Sequence, residues 1–446
     1  MLFKNKEEII SNGETSELKT IREDILDILE HALNAVDPYK VVKKCFYDKS
    51  IVFDKHVIDL SKFKNVFLVG FGKASVGMAQ AVCDYIDVKR GIVVTNDPIK
   101  KVKSSNIETV VGGHPLPNQD SVKAADKALE IAKKCDKNDI LIVLISGGGS
   151  SLFSKPRTKL KDLQMVTSLL LKSGADINEI NTVRKHLCLV KGGQFAAAAK
   201  CFVVSFIISD IIGDPISFIA SGPTYPDSTT FSDAKKILEK YDLWEKSPSS
   251  LKKVIDDGVK KLISDTPKKD DIVFKNVLNF VVANNKIACK AAEEKARKLG
   301  YKTMLLTTSL NGEAKKIGKF LANKALNYMN LGEKFVFISG GETTVTIQGD
   351  GKGGRNSETV LGCVKDLDSK DVVFASFATD GVDGTSNAAG AIADGFTYDK
   401  AQKKGFDPTV FLDNNNSYNF FKNLGDVLMT GPTGTNVMDI QIIVKK

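Results

Sequence analysis

The sequence predicts an α/β protein built on parallel, doubly wound sheets. Three observations carry that expectation. Continuous apolar runs such as "DILIVLIS" at 139–146 and "FVVSFIIS" at 202–209 mark strands covered on both faces. Segments with helical spacing stand between such runs, among them "DSVKAADKALEIAKK" at 120–134. Most predicted strands also open into small residues or an acid, as "LISGGGSS" does at 144–151.

The elements follow in order. "IREDILDILEHALNAV" at 21–36 places Ile21, Ile25, Leu26, Ile28, Leu29, Ala32 and Leu33 on one helical face, and the first fifty residues read as helical. "NVFLVG" (65–70) is a strand, "SVGMAQAVCDYI" (75–86) a helix, and "GIVVT" (91–95) and "IETVV" (107–111) are strands. The helix at 120–134 takes Asp120 or Ser121 as its cap. Composition turns polar across 245–271, and a second alternation begins after it. There "VLNFVVA" (277–283), "KTMLLTT" (302–308) and "KFVFIS" (334–339) read as strands. "NKIACKAAEEKARKLG" (285–300) and "EAKKIGKFLANKALNYM" (313–329) are the helices between them. "TTVTIQ" (343–348) alternates in period two, as an antiparallel strand does, and "VVFASFA" (372–378) and "DIQIIV" (439–444) complete the sheet. At 446 residues, two or three units are expected, and the shift in composition sets them at 1–270 and 271–446.

Bulk chemistry narrows the function. The net charge of +9 comes from scattered lysines, with no basic and aromatic interleaving, which argues against a nucleic-acid partner. A mild positive field suits an anionic small substrate. The seven cysteines form no CxxC pair and are odd in number, as expected of buried thiols in a reducing compartment. The first thirty residues hold no apolar signal core, and no stretch approaches the roughly 18 apolar residues that span a bilayer. A cytoplasmic protein without a membrane partner is expected.

Ligands of open α/β sheets bind beyond the carboxyl ends of the strands, so chemistry is sought there. "GFGKAS" (70–75) offers Gly70, Gly72 and Lys73 ahead of a helix, as an anion loop or simply a tight turn with an exposed lysine. Ser146, Gly147, Gly148, Gly149, Ser150 and Ser151 form a nest suited to phosphate or carboxylate. "GDGKGGRNSE" (349–358) sets Arg355 among glycines, where a guanidinium suits a transferring phosphoryl group. Asp210 and Asp214 in "SDIIGDP", and Asp380 and Asp383 in "TDGVDG", can hold Mg²⁺, take a proton, or cap a turn. The four histidines share no ligand spacing; His114 shapes a Pro-rich turn, and His186 is helical beside Arg184 and Lys185. Those two cations meet a substrate carboxylate or face solvent. "FISGGETT" at 337–344 repeats the first glycine loop but carries Glu342, which an anion site would avoid.

Taken together, "GFGKAS", "GGHPLPNQDS", "ISGGGSSLF", "INTVRKHL", "ISDIIGDPISFIASGPT", "ISGGETTVT", "GKGGRNSE", "ATDGVDGTSNAAGAIAD" and "TGPTGTNVMDI" resemble the class II glycerate kinases. The resemblance runs over nearly the whole chain, from about residue 18 to 444. It implies two Rossmann-like α/β domains, the second a MOFRL domain, with an active-site cleft between them. It implies an ATP- and Mg²⁺-dependent kinase acting on D-glycerate, with phosphorylation at C2. Lys73 and Arg355 fall at the family's catalytic cations. Gln194, Cys188, Leu189 and Asn387 depart from the family pattern of Arg, Ser-Arg and an acid.

The resulting expectation assigns every loop. Lys73 and Arg355 neutralise the transferring group, and Asp210 or Asp380 orients Mg²⁺ or accepts the hydroxyl proton, with Asp214 as a further metal ligand. The nest at 146–151 and Arg184 hold an anionic end of the substrate or of the nucleotide. Gly70, Gly72, Gly340, Gly341, Glu342, Gly354 and Asn356 contact the nucleotide. Three alternatives rank below it: a kinase forming 3-phosphoglycerate, a non-catalytic anion or sugar-phosphate sensor, and a nicotinamide-dependent oxidoreductase. The last would want a third glycine in the first loop, where this chain has none.

Overall fold

A computed structural model describes residues 2–328 and 333–445 of the chain. It divides into two units, Pro38–Val282 and Met1–Asp37 together with Ala283–Lys446. The division differs from the expected cut at 270 in two ways. The first 37 residues belong with the C-terminal half, and "VLNFVVA" completes the sheet of the first unit.

The unit Pro38–Val282 opens with a small antiparallel sheet of β1 (Phe46–Tyr47), β2 (Ser50–Phe53) and β3 (His56–Asp59). Helical spacing in the first fifty residues hides it. Its two hairpin turns run through Asp48 and Asp54 at φ 49° and 51°, without the glycine that signals such turns. The main sheet follows: β4 (Asn65–Phe71), β5 (Arg90–Thr95), β6 (Ile107–Val111), β7 (Asp139–Ile145), β8 (Phe202–Ile208) and β9 (Val277–Ala283). Its order is β6-β5-β4-β7-β8-β9, and β4 pairs parallel with both β5 and β7. The chain starts in the middle, builds one side through β6, and returns to build the other from β7. The reversal between β4 and β7 is the topological switch of this sheet. Phe71 lies in register with both Val94 and Ile145, so the carboxyl ends are level there.

Burial explains these elements. Ile140 to Leu144 of β7 are fully buried, as a strand covered on both faces must be. The helix Gln119–Lys134 packs Ala124, Ala125, Ala128 and Ile131 against Phe67, Val69 and Val143, its small residues letting it lie close to the sheet. Its cap is Asn118, in a capping box with Ser121, two or three residues earlier than the sequence suggests. β9 belongs here because Asn279 bonds Thr224 (2.7 Å) and Phe280 stacks on Phe53 at 4.9 Å.

The other unit has β10 (Lys302–Leu310), β11 (Phe335–Gly341), β12 (Val372–Ala378), β13 (Gly390–Asp394), β14 (Val427–Leu428) and β15 (Asp439–Lys445), in the order β10-β11-β15-β12-β13-β14. This unit is α/β but its sheet is mixed: β10 and β11 run parallel, and every other neighbouring pair is antiparallel. Its β12 and β13 are joined by a loop without a crossover helix, which leaves only antiparallel pairing. "TTVTIQ" is not a strand; Thr344, Thr346, Ile347 and Gln348 are exposed, and a single bridge joins Thr344 to Glu313. The expected helix at 313–329 runs Ala314–Leu326, and its last expected residue, Met329, lies outside the described residues.

The helix Ser16–Ala35, capped by Thr15, buries Ile21, Ile25, Ile28 and Leu29, each worth about 1.5–3 kcal/mol. The same face buries Arg22 completely. Arg22 Nη2 meets Asp394 at 2.7 Å and its Nη1 meets Asp426 at 2.6 Å. Burial opposes the guanidinium charge, but the two carboxylates hold its pKa above the ordinary value. Arg22→Met is expected to cost about 3–5 kcal/mol, because two buried carboxylates lose their counter-charge. An unchanged midpoint in urea unfolding would rule this fastening out.

Candidate active site

The first glycine loops meet at the switch point. β4 ends at Phe71, and Gly72 follows at φ 118°, where a Cβ would lie 2.2 Å from Ser146 Oγ. Only glycine lets the two loops approach this closely. The Lys73 N–H then donates to Gly147 O (2.9 Å), and the Ala74 N–H donates to Ser146 Oγ (3.1 Å). Gly70 sits inside β4 itself, against Val93. Beyond β7, Gly148 takes φ 81° and Gly149 begins the short helix Gly149–Leu152. Among the described residues, the amides of Gly147 and Gly148 donate to no protein acceptor. The hydroxyls are spent internally: Ser151 donates to Gly148 O (3.1 Å), and Ser150 pairs with Ser221 at 2.8 Å. Amides, not hydroxyls, are what this nest offers an anion.

Two side chains close on the nest. A Cβ on Gly147 would fall 2.1 Å from Asp210 Oδ2, so that carboxylate lies directly against the Gly147 backbone. A Cβ on Gly148 would lie 3.0 Å from His114 Cδ2 and 3.5 Å from Lys73 Cγ. Burial, and then the Lys73 charge, hold the His114 pKa below its ordinary value, so the ring is neutral and able to accept a proton. The sequence reading gave His114 a turn-shaping role; the "GGHP" spacing carries no hint that it reaches the nest. Asp214 lies further along the same loop at φ 55°, its N–H donating to Ile211 O (3.1 Å).

A cavity of about 280 Å³ adjoins the nest through Ser150 and contains Arg184, Lys191 and Ser154. Of the two adjacent cations in "VRKH", Arg184 lines this cavity, whereas Lys185 is buried against Asp227 at 3.2 Å. His186 is fully buried and edge-on to Phe231 at 4.8 Å. Gln194, which stands where the family has Arg, braces this loop. Its amide donates to Lys185 O (3.0 Å), Cys188 O (2.6 Å) and Lys191 O (2.8 Å), and its oxygen accepts from Arg157 (2.6 Å).

In the other unit, Arg355 opens the helix Arg355–Leu361 and lines a cavity of about 410 Å³ with Glu342, Thr343, Ile347, Glu358 and Asn415. The guanidinium is not left uncompensated. Its Nε and Nη2 grip Asp439 at 2.5 and 2.9 Å, and its Nη1 meets Glu342 at 2.8 Å. Burial opposes the Arg355 charge, yet the Asp439 charge and hydrogen bonds raise its pKa above the ordinary value. Burial pushes Asp439 up as well, to about 6, against the pull of Arg355, so the pair is ionised at neutral pH. Two guanidinium N–H groups remain for a ligand. Asp439, at the start of β15, escaped the sequence reading because an acid heading a strand carries no local signal.

The remaining second-unit residues have structural work. Asp383 is a cap: it accepts from the N–H groups of Asn356 and Ser357, both at 2.8 Å. Asn356, expected at the nucleotide, is turned inward, fully buried and accepting from Ser376 Oγ at 2.6 Å. Gly354 is the N-cap, where a Cβ would meet Asp383 at 2.4 Å. Gly340 and Gly341 are still part of β11, and a Cβ on either would strike Asn285 or Leu310. Asp380 accepts from the Val382 N–H at 3.1 Å in a local turn. The two look-alike loops therefore differ: the first leaves its strand as an open nest, while the second stays in the strand and points Glu342 at Arg355.

Among the described residues, no three His, Cys, Asp or Glu side chains are placed together to hold an ion. Mg²⁺ in phosphoryl-transfer sites needs only one or two carboxylates plus phosphate oxygens, and Asp210 beside an amide nest fits that donor set.

An amide nest at a switch point, with a lysine and a carboxylate against it, defines an α/β protein built to handle oxyanions. Family models match residues 24–256 as a domain of unknown function (DUF4147) and residues 335–439 as the MOFRL family. The chain is 43% identical to a glycerate 2-kinase of Pyrococcus horikoshii, over 95% of this chain and 97% of that one. It is 37% identical to a D-glycerate 2-kinase of Thermotoga maritima, over 95% and 98%. A crystal structure of glycerate kinase from Thermotoga maritima superposes with a TM-score of 0.84 at 36% identity, over 96% of this chain and all of that one. The chain belongs to the class II glycerate kinase family.

Proposed function

We propose that the protein transfers the terminal phosphoryl group of ATP to D-glycerate, with Mg²⁺, and that the product is 2-phospho-D-glycerate. The observation that carries this reading is the meeting of Lys73, the Asp210 carboxylate and the Gly147–Gly148 amides at the switch point. Phosphoryl transfer asks for positioning and charge neutralisation more than covalent chemistry, and these groups supply both. Lys73 takes the charge of the transferring group at the nest, and in its own unit Arg355 keeps two open N–H groups for phosphate oxygens. Asp210 and Asp214 on the loop after β8 are candidate Mg²⁺ ligands, as is Asp380 within its own unit; bound at the nest, the ion would neutralise phosphate charge. Asp210, or the neutral His114 beside Gly148, accepts the proton of the attacking hydroxyl. The cytoplasm is the compartment this chemistry suits, and all seven cysteines are free thiols.

The test is ³¹P and ¹³C NMR of the product from ATP, Mg²⁺ and D-glycerate. Phosphorus coupled to C2 is expected. Coupling to C3 overturns the regiochemistry, and an absence of ADP release overturns the kinase reading in favour of a sensor.

A further inference from the structure

We propose that the cavity beside the nest is an oxyanion subsite in which Arg184 and Lys191 seat the carboxylate of the acceptor substrate. The identity of the ligand rests on the kinase reading; its charge does not. One wall of the 280 Å³ cavity is apolar, from Pro115 to Pro117 with Leu163 and Leu171. The polar wall presents two cations, three serines and Thr167, with no acid.

Among the described residues, neither cation has a counter-charge. Arg184 makes no hydrogen bond or ion pair among the described residues, and burial lowers its pKa. Lys191 is only 1% exposed; its Nζ donates to Ser150 O (2.7 Å) and Phe153 O (3.0 Å), which leaves one N–H unused. The titratable groups facing Lys191 are Arg184 and the Cys188 thiol. Two like charges at the edge of a low-dielectric interior repel each other, so an anion entering here is drawn by both. A carboxylate matches the guanidinium fork. Ser150 ties the cavity to the nest. An acid seated here directs its hydroxyls toward Lys73 and Asp210, and leaves the open amides for phosphate.

The arrangement sets a pH dependence. In the free protein, burial first and Arg184 second bring Lys191 down to about 8. A bound anion raises it again. Binding is therefore strongest below about 8 and weakens as pH rises through that value, where binding must take up a proton.

The experiment uses the full chain, Arg184→Gln and Lys191→Met, with KM for D-glycerate and for ATP measured from pH 6.5 to 9.5. Calorimetry with D-glycerate, ADP and inorganic phosphate accompanies it. Arg184→Gln removes no hydrogen bond within the protein, so it stays interpretable if Lys191→Met fails to fold. Losing one charged contact should weaken D-glycerate about 10- to 100-fold and leave ATP within about threefold. Wild-type glycerate affinity should fall toward tenfold per pH unit above about 8, and Lys191→Met should flatten that slope. Unchanged glycerate affinity in Arg184→Gln overturns the subsite, and a selective loss of ADP or ATP binding overturns its assignment to the acceptor. If wild type binds D-glycerate or phosphate through Arg184 but never turns over, the subsite stands and the kinase reading falls.

Discussion

Lys73→Ala is expected to lower glycerate-dependent ADP release by about 100-fold or more while leaving the fold intact. The reasoning starts from the backbone. The Lys73 N–H bond to Gly147 O is one of the bonds that tie the two loops together, and alanine keeps it. The change removes only a side chain whose stem passes Gly148 at the mouth of the nest. A point charge there acts mainly on the transferring phosphoryl group, so its loss should fall on kcat more than on the KM for glycerate. Lys73→Arg should recover part of the rate, since charge returns with different reach. Turnover within a few-fold of wild type would remove Lys73 from the mechanism.

Arg355→Ala is expected to have two separable effects. Turnover should fall by about 100-fold or more, as for Lys73. Stability should also drop by about 3–5 kcal/mol, because Asp439 is fully buried and would keep a charge without its partner. Adding Asp439→Asn should restore much of the stability and none of the turnover. The pH dependence has a definite sign. Burial already raises Asp439 to about 6, and losing Arg355 raises it further. A carboxyl raised in the folded state favours folding below its unfolded pKa, and that contribution is lost as pH rises through the folded value. Arg355→Ala should therefore lie closer to wild-type stability near pH 5 than near pH 8. A destabilisation independent of pH would show that Asp439 is not the group left exposed.

Much of this site was legible in the chain. "GFGKAS" and "ISGGGSS" follow apolar runs, so strand, glycine turn and helix start could be read from neighbours alone. The family motifs carried Lys73 and Arg355 to their places. What stayed hidden was partnership. Asp439 lies 84 residues from Arg355, and Lys191 belongs with Arg184 only once their segments fold around one cavity. Asp383 looked like Asp380, yet one caps a buried helix start and the other sits in a local turn.

The sequence by itself determined the α/β class, most strands, and the glycine loops at their ends, because period, turn chemistry and helix capping act over a few residues. Tertiary structure decided the rest. It sent "VLNFVVA" back to the first sheet, placed the opening helix with the C-terminal unit through Arg22, and made the second sheet mixed. It also put the reversal between β4 and β7, and so brought Lys73, Asp210 and His114 to one nest. Those outcomes depend on which distant surfaces bury one another and which distant charges can pair, and no short stretch of chain carries that information.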